Sequence, residues 1–423
     1  MAYAEKFETL CVIGLGYVGL PTAAVFASRG LEVVGVDTNQ NTVATINSGA
    51  IHIVEPDLDI LVNGAVATKK LRAAARAEAA DAFIIAVPTP FTDNHKPDLS
   101  YLQAAADDLA DVLKAGDLVI IESTSPVGAT EKISTHLAAK RPDLSFPHNS
   151  CMEANISIAH SPERVLPGRV LIELIRNDRV VGGITPNCAK RAAELYAIAV
   201  EGRCLQTSAR TAELVKLAEN AHRDVSVAFA NELANVADKL DIDPWEAIRL
   251  ANHHPRVNIL NPGPGVGGHC IAVDPWFIVD SAPEDTPLIQ AARLVNNGRP
   301  ARIANAVTAA AAATGLTAPM IGCLGLTYKA DIDDIRESPA IAVVKILAMS
   351  FKIRIAEPYL NILPDELADL PNVELSDIQS TIIASDIVVL LTDHKQFKTL
   401  DPTAFENKKL INTRGNLKKP RNR

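Results

Sequence analysis

Cys270 closes the run Asn261-Pro262-Gly263-Pro264-Gly265-Val266-Gly267-Gly268-His269-Cys270. A thiol that loses its proton is a nucleophile, so the chemistry open to this residue is covalent capture of an electrophilic carbon. The glycines leave backbone N–H groups free to face a ligand. No Lys follows in the P-loop register, which excludes a Walker-type phosphate loop. Taken alone, the loop is better read as a turn around a buried structural cysteine. Two other sets of residues shift that balance. Lys216 and Asn220 stand at i and i+4 of a helical stretch, hence on one face, where a lysine can donate to a developing alkoxide. Glu163, in His160-Ser161-Pro162-Glu163-Arg164, follows a strand and can take a proton from water. Singly, these read more often as a solvated helix lysine and a loop salt bridge; together with Cys270 they shift the balance toward a reactive thiol. Asp274 follows the cysteine within Ile271 to Pro275.

A second chemical signal lies near the start of the chain. Val12-Ile13-Gly14-Leu15-Gly16-Tyr17-Val18-Gly19 places GxGxxG after a strand and before the helical run Pro21 to Ser28. Gly14 permits the tight turn, Gly16 lets backbone approach a pyrophosphate, and Gly19 lets helix and strand pack closely, with the helix N-terminus facing the phosphates. Tyr17 and Val18 lie inside this cradle. Asp37 ends the second strand, where a carboxylate accepts from both ribose hydroxyls and repels a 2′-phosphate, so NAD is expected over NADP. Val87-Pro88-Thr89-Pro90 and Glu122-Ser123-Thr124-Ser125-Pro126 each follow a strand and so emerge at the carboxyl edge of the sheet. The hydroxyls of Thr89 and Thr124, beside Pro88, can hold cofactor; capped loops are an equal reading.

The elements that must carry these residues follow from periodicity. Apolar runs at Leu10 to Ile13, Glu32 to Val36, Ala82 to Val87, Asp117 to Glu122 and Ile156 to His160 alternate with Ala-rich helical stretches, the rhythm of parallel βαβ units. From Thr211 to about Asp241, apolar residues recur at three- and four-residue steps, which predicts one long amphipathic helix. A second helix is expected from Pro287 to about Ala313. Beyond Gly315, strands are expected at Met320 to Leu324, Ile353 to Ala356, Asp386 to Leu391 and Leu410 to Asn412. The fold class is therefore α/β: two Rossmann-like doubly wound domains, 1–205 and 316–423, joined by a central helical region with a long helix, 206–315.

At 423 residues the chain exceeds what one hydrophobic core supports. A net charge of -9 excludes nucleic acid or an anionic membrane as the main partner. No run of about eighteen apolar residues is present, and Met1 to Glu8 lacks the pattern of a signal peptide, so the expected location is cytoplasmic. The six cysteines, at 11, 151, 188, 204, 270 and 323, form no CxxC pair, and neither disulfide nor metal is expected.

The segments GLGYVGLP, the Pro-Thr-Pro turn, STSPVGAT, HSPERVLPG, TAELVKLAEN, PGPGVGGHCIAVDP and GLTYKADIDDIRESPA together resemble the UDP-glucose/GDP-mannose dehydrogenase family, in the right order over nearly the whole chain. Within it, HHPRVNIL and GPGVGGHCIAVDPWF are most similar to the branch acting on UDP-N-acetyl-D-mannosamine. The resemblance implies NAD-dependent oxidation of a C6 alcohol to an aldehyde, captured by Cys270 as a thiohemiacetal, then oxidation to a thioester that is hydrolysed. It implies Glu163 as base for water, with Lys216, Asn220 and Asp274 managing the oxyanion and a water. It carries Thr124 and Arg336 to the cofactor, and Arg164, Val165, Leu166, Arg256, Gly263, Gly267, Lys329 and Arg414 to the UDP-sugar, in a homodimer built on the long helix. UDP-N-acetylglucosamine or UDP-glucose is the alternative substrate. Asn412 stands where relatives have an acid, which weakens the reading of Arg414; Tyr328 replaces a Phe; His269 and Val273 differ from the flanks usual in UDP-glucose enzymes. Rival readings are a single-step β-hydroxyacid dehydrogenase and a non-catalytic NAD-responsive regulator.

Overall fold

The computed structural model describes residues 7–92, 96–149, 154–165, 168–268 and 270–417. The chain divides into two compact units, Met1–Glu219 with Trp276–Ser281, and Asn220–Pro275 with Ala282–Arg423. The region 206–315 is thus shared between them, and the long helix, Ala209–Leu240, is continuous through the boundary.

The first unit holds eight strands: β1 (Thr9–Ile13), β2 (Glu32–Val36), β3 (Leu71–Ala74), β4 (Ala82–Ile85), β5 (Leu118–Ile121), β6 (Ser157–His160), β7 (Arg179–Gly183) and β8 (Cys204–Ser208). They form one sheet in the order β3-β2-β1-β4-β5-β6-β7-β8, parallel except where β7 runs against β6. Side chains alternate across a strand, and helices cover both faces of a parallel sheet, so its central strands must be apolar throughout. Accordingly Leu10, Val12, Ile84, Leu118 and Ile120 enter one core, while Cys11, Ile13, Phe83, Ile85, Val119 and Ile121 enter the other. Strand order reverses between β1 and β4, so the loops after β1, β4 and β5 open at the switch point where such sheets bind ligands.

The second unit holds β9 (Met320–Leu324), β10 (Lys352–Ala356), β11 (Val373–Ser376), β12 (Ile387–Leu390) and β13 (Lys409–Asn412), all parallel in the order β11-β10-β9-β12-β13. The helix Pro287–Thr314 ends at Gly315, whose φ of 70° is the left-handed conformation that stops helices. The strands and both long helices expected from sequence are present. β3, β7, β8 and β11 were not expected. β3 and β11 are edge strands with mixed burial, so they lack an apolar run. β7 is buried throughout but reads Arg-Val-Val-Gly-Gly. A Cβ on Gly182 would stand 2.5 Å from the Ser208 carbonyl oxygen, and one on Gly183 2.2 Å from Ala189 N, so tight packing required the residues that hid the strand.

Candidate active site

The turn after β1 is built as a dinucleotide cradle. Gly14 N–H donates to Val36 O at 2.8 Å, and its φ of +94° belongs to the region glycine favours. A Cβ on Gly14 would meet Ala86 O at 2.6 Å, and one on Gly19 would meet Gly14 O at 1.8 Å. Gly16 differs: a Cβ there would touch nothing within 4 Å. The fold gives no internal reason for that glycine, and close approach of a pyrophosphate supplies one. Tyr17 is exposed and Val18 caps the helix Gly19–Ser28, whose N-terminus faces this turn. Asp37, just past β2, accepts from Leu15 N–H at 3.2 Å and Asn39 N–H at 2.9 Å. Thr89, buried beside exposed Pro88, donates its hydroxyl to the Thr124 carbonyl, and Ser123 donates to Val87 O at 2.7 Å. The loops after β4 and β5 are therefore tied to each other at the carboxyl edge. These residues fit NAD.

In the same unit the Glu163 side chain, nine-tenths buried after β6, is held by a cluster that sequence did not reveal. Arg179, the first residue of β7, directs one guanidinium nitrogen at both Glu163 Oε2 and Glu122 Oε1. Its Nε donates to Ser161 Oγ at 3.2 Å, and its plane lies 4.2 Å from the Tyr196 ring centre. Burial pushes the Glu122 carboxyl up to about 7, against the pull of Arg179. Glu163 Oε1 also accepts from Arg164 N–H at 2.7 Å. The Arg164 side chain pairs with Glu219 at 2.8 Å and with the Asp178 carbonyl. Val165 packs against the core. Leu166 lies outside the described residues, as does His269. Glu55 anchors the return of this loop, accepting from Gly168 N–H at 2.8 Å and Val170 N–H at 2.7 Å. Lys216 is 8% exposed, so it is not a solvated helix lysine.

In the second unit Cys270 is exposed, whereas Cys11, Cys188 and Cys323 are buried. Its carbonyl accepts from Val273 N–H at 3.1 Å and Asp274 N–H at 2.8 Å, a single turn leading into the helix Asp274–Ser281. Asn220 donates its amide to Asp274 Oδ2, so two of the residues picked out from sequence meet. Gly268 N–H donates to Arg336 O at 2.9 Å. The Arg336 guanidinium is raised above its usual range, first by its hydrogen bond to Asp334 and further by Tyr328 and Cys270. Arg336 thus lies near the cysteine within this unit. Upstream, both backbone groups of Gly263 are held: its N–H donates to Asn231 Oδ1 at 2.8 Å and its carbonyl accepts from Arg299 Nε at 3.0 Å. A Cβ on Gly263 would stand 2.8 Å from a nitrogen of Arg414, whose own Nε donates to Leu391 O at 3.0 Å. A Cβ on Gly267 would strike Glu337 O at 2.5 Å. Lys329 is half-buried and Arg256 exposed.

Arg179, Glu122, Asn231 and Arg299, which contact candidate-site residues, are the side chains that sequence reasoning missed. The available signal for Asn231 was spacing: Asn220, Asp224, Asn231 and Asn235 lie on one face of the long helix, a polar stripe beside the buried Leu217, Ala221 and Ala228. For Arg179 it was a charge heading an otherwise apolar strand.

Comparison with known proteins identifies the family. Three models of one family match the chain: the NAD-binding domain of the UDP-glucose/GDP-mannose dehydrogenase family over residues 8–200, the central domain over 210–298 and the UDP-binding domain over 322–419. An NDP-N-acetyl-D-galactosaminuronic acid dehydrogenase from Ralstonia nicotianae is 56% identical over 411 residues, covering 97% of this chain and 96% of the relative. A UDP-N-acetyl-D-mannosamine dehydrogenase from Yersinia pestis is 54% identical over 418 residues, covering 97% and 99%. A solved UDP-D-ManNAc dehydrogenase from Pyrococcus horikoshii superposes with a TM-score of 0.88 at 39% identity, covering 97% of this chain and 96% of that one. No helix among the described residues is long and apolar enough to cross a membrane. The chain belongs to the UDP-glucose/GDP-mannose dehydrogenase family and is an NAD-dependent nucleotide-sugar dehydrogenase.

Proposed function

We propose that this chain oxidises UDP-N-acetyl-D-mannosamine at C6 to the carboxylate in two successive oxidations joined by a covalent bond to Cys270. NAD, when bound, accepts the hydride that leaves C6 in each oxidation. The alcohol passes its proton to the water held by Asn220 and Asp274 while Lys216 donates to the developing alkoxide; Lys216 then donates to the oxyanion formed when the Cys270 thiolate adds to the aldehyde. The thiohemiacetal so made is oxidised to a thioester, which a thiolate leaves readily. Glu163 removes a proton from the water that attacks that thioester, while Asn220 and Asp274 hold the water and the cysteine turn. Residues 1–205 bind NAD, the Gly263–Gly267 loop with Lys329 and Arg256 binds the nucleotide sugar, and the enzyme acts as a cytoplasmic homodimer supplying surface polysaccharide synthesis.

The observation that carries this reading is the exposed Cys270 at a turn whose next polar residue, Asp274, is engaged by Asn220 of the helix that also bears buried Lys216. Two NADH are expected per sugar nucleotide consumed, and a stoichiometry of one sinks the proposal. Cys270→Ser should release aldehyde with no acid; unchanged turnover rejects the nucleophile. For the sugar, relatives named for N-acetylmannosamine support the first choice, and the relative at 56% identity, named for N-acetylgalactosaminuronic acid, supports a second. NADH release measured with UDP-N-acetylmannosamine, UDP-N-acetylgalactosamine, UDP-N-acetylglucosamine and UDP-glucose decides between them.

A further inference from the structure

We infer that Arg179 is the positioning residue of Glu163, and that Glu122, which shares the same guanidinium nitrogen, governs how tightly Arg179 holds it. The inference rests on the proposed role of Glu163 in thioester hydrolysis. In that step a water O–H bond breaks, its proton passes to a Glu163 oxygen, the new C–O bond forms, and the C–S bond breaks to return the Cys270 thiolate.

The geometry leaves one cation for two carboxylates. Arg179 Nη2 reaches Glu163 Oε2 and Glu122 Oε1, and all three side chains are at least nine-tenths buried. Glu122 is the deeper acid. It accepts from Tyr196 Oη at 2.9 Å and Thr22 Oγ1 at 3.2 Å, contributed by two different helices. Ser161, preceding Glu163, holds Arg179 Nε, and the Cys204 thiol of β8, kept neutral by burial, also feels the Arg179 charge. Glu163 has its second oxygen on a backbone N–H, so its orientation is fixed at both ends.

Charge division follows. While Glu122 is protonated, the Arg179 guanidinium faces a single anion, Glu163. When Glu122 ionises, the guanidinium is shared between two anions and holds Glu163 less tightly. Burial places that ionisation in the neutral range, with Glu122 pushed up to about 7. A carboxylate held less tightly by its cation is freer to turn toward the attacking water. The hydrolytic step should therefore carry an ionisation that belongs to a residue never in contact with substrate.

The test is the pH profile of acid release from the preformed thioester in single turnovers of the full chain. Glu122→Gln keeps the shape and removes the charge; it should abolish the inflection near about 7 and leave the nucleotide-sugar KM unchanged. Arg179→Lys keeps the charge and loses the fork; it should slow hydrolysis by about tenfold, within what a positioned base contributes. Thioester should then accumulate on Cys270, read by intact mass, with the first hydride transfer unaffected. A Glu122→Gln profile superimposable on the parent overturns the inference. Glu163→Gln separates the two levels: if it hydrolyses thioester at the parent rate, the role of Glu163 fails; if it is slow while Glu122→Gln is unaltered, only the present inference fails.

Discussion

Gly16 and Gly19 are one motif with two separate physical demands, and substitution should separate them. Gly19→Ala puts a methyl group into the Gly14 carbonyl, so it should lower both melting temperature and NAD affinity. Gly16→Ala meets no protein atom, so thermal stability should stay at the parental value while NAD affinity drops on the order of tenfold, about 1.4 kcal/mol. Equal NAD binding by Gly16→Ala, measured by fluorescence titration, would show that no ligand approaches there. The buried acids and bases make a second residue-scale prediction. His160, with both ring nitrogens unpartnered among the described residues, is pushed down to about 3 by burial. Below 6.5 the unfolded chain takes a proton that the folded one refuses, so this group costs stability as pH falls. Glu122, raised from 4.5 to about 7, has the opposite sign: between those values the folded chain holds the extra proton, and stability is lost as pH rises. The two offset each other between 4.5 and 6.5. Glu122→Gln removes one side, so its unfolding free energy relative to the parent should fall with decreasing pH by up to ~1.4 kcal/mol per unit. Parallel denaturation curves from pH 7 to 4.5 would refute this. None of that network was legible in sequence, because Arg179 and Glu122 are far apart in the chain and a lone charge beside a strand has many uses. Gly14, Gly19 and Asp37 were legible because the turn that needs them is local.

At the scale of elements, the long helix shows both what periodicity reveals and what it hides. Apolar steps of three and four located it, yet the same helix carries a polar stripe whose partners come from the helix Pro287–Thr314 and the cysteine loop. Asn231 donates to Asn296 at 2.9 Å and accepts from Gly263; Asn296 bonds Asp224 at 2.8 Å; Arg293 reaches Asp224 at 2.7 Å. Buried polar groups need such partners, and a glycine-rich loop has no side chains of its own with which to fix its path. Asn231→Leu should therefore leave the Gly263 N–H and one Asn296 oxygen unpaired, at a cost of about 1–3 kcal/mol each in stability. The nucleotide-sugar KM should rise while NAD affinity is retained. An unchanged KM in a folded Asn231→Leu protein would mean the clamp holds the helices and not the loop. The partners were invisible beforehand because asparagines are as common on solvated faces as in buried networks. β7 was invisible because its glycines and arginine, required by packing and by Glu163, erased the apolar run.

The two sheets of the molecule share the order 3-2-1-4-5 over their first five strands, and what differs is the chemistry at the carboxyl edge. After β1 stands Gly-Leu-Gly-Tyr-Val-Gly; after β9 stands Gly325-Leu326-Thr327-Tyr328-Lys329, with a single glycine at φ +97° against Thr392. Asp37 has its counterpart in Glu357, one residue past β10, but Glu357 is buried and already occupied. It accepts from Leu326 N–H at 2.7 Å, Thr327 N–H at 3.3 Å and Tyr359 N–H at 3.0 Å, and pairs with His394 at 3.1 Å. A ribose would have to displace those bonds, so the second sheet keeps the Rossmann frame with its dinucleotide position closed. The frame was readable twice in the sequence because strand and helix periodicities are repeated; the closure was readable only in part, through the missing glycines, since His394 lies far from Glu357 in the chain. Hydrogen exchange by mass spectrometry tests the asymmetry in the whole protein. NAD alone should slow exchange across Gly14–Gly19 and Asn39, and leave the equivalent Leu326–Thr327 amides as they were. UDP alone should slow exchange in Gly263–Gly268 and spare the Gly14–Gly19 turn. NAD-dependent protection at Leu326 and Thr327, or none at Gly14–Gly19, would mean that the acid at the end of the second strand does not decide which sheet takes the dinucleotide.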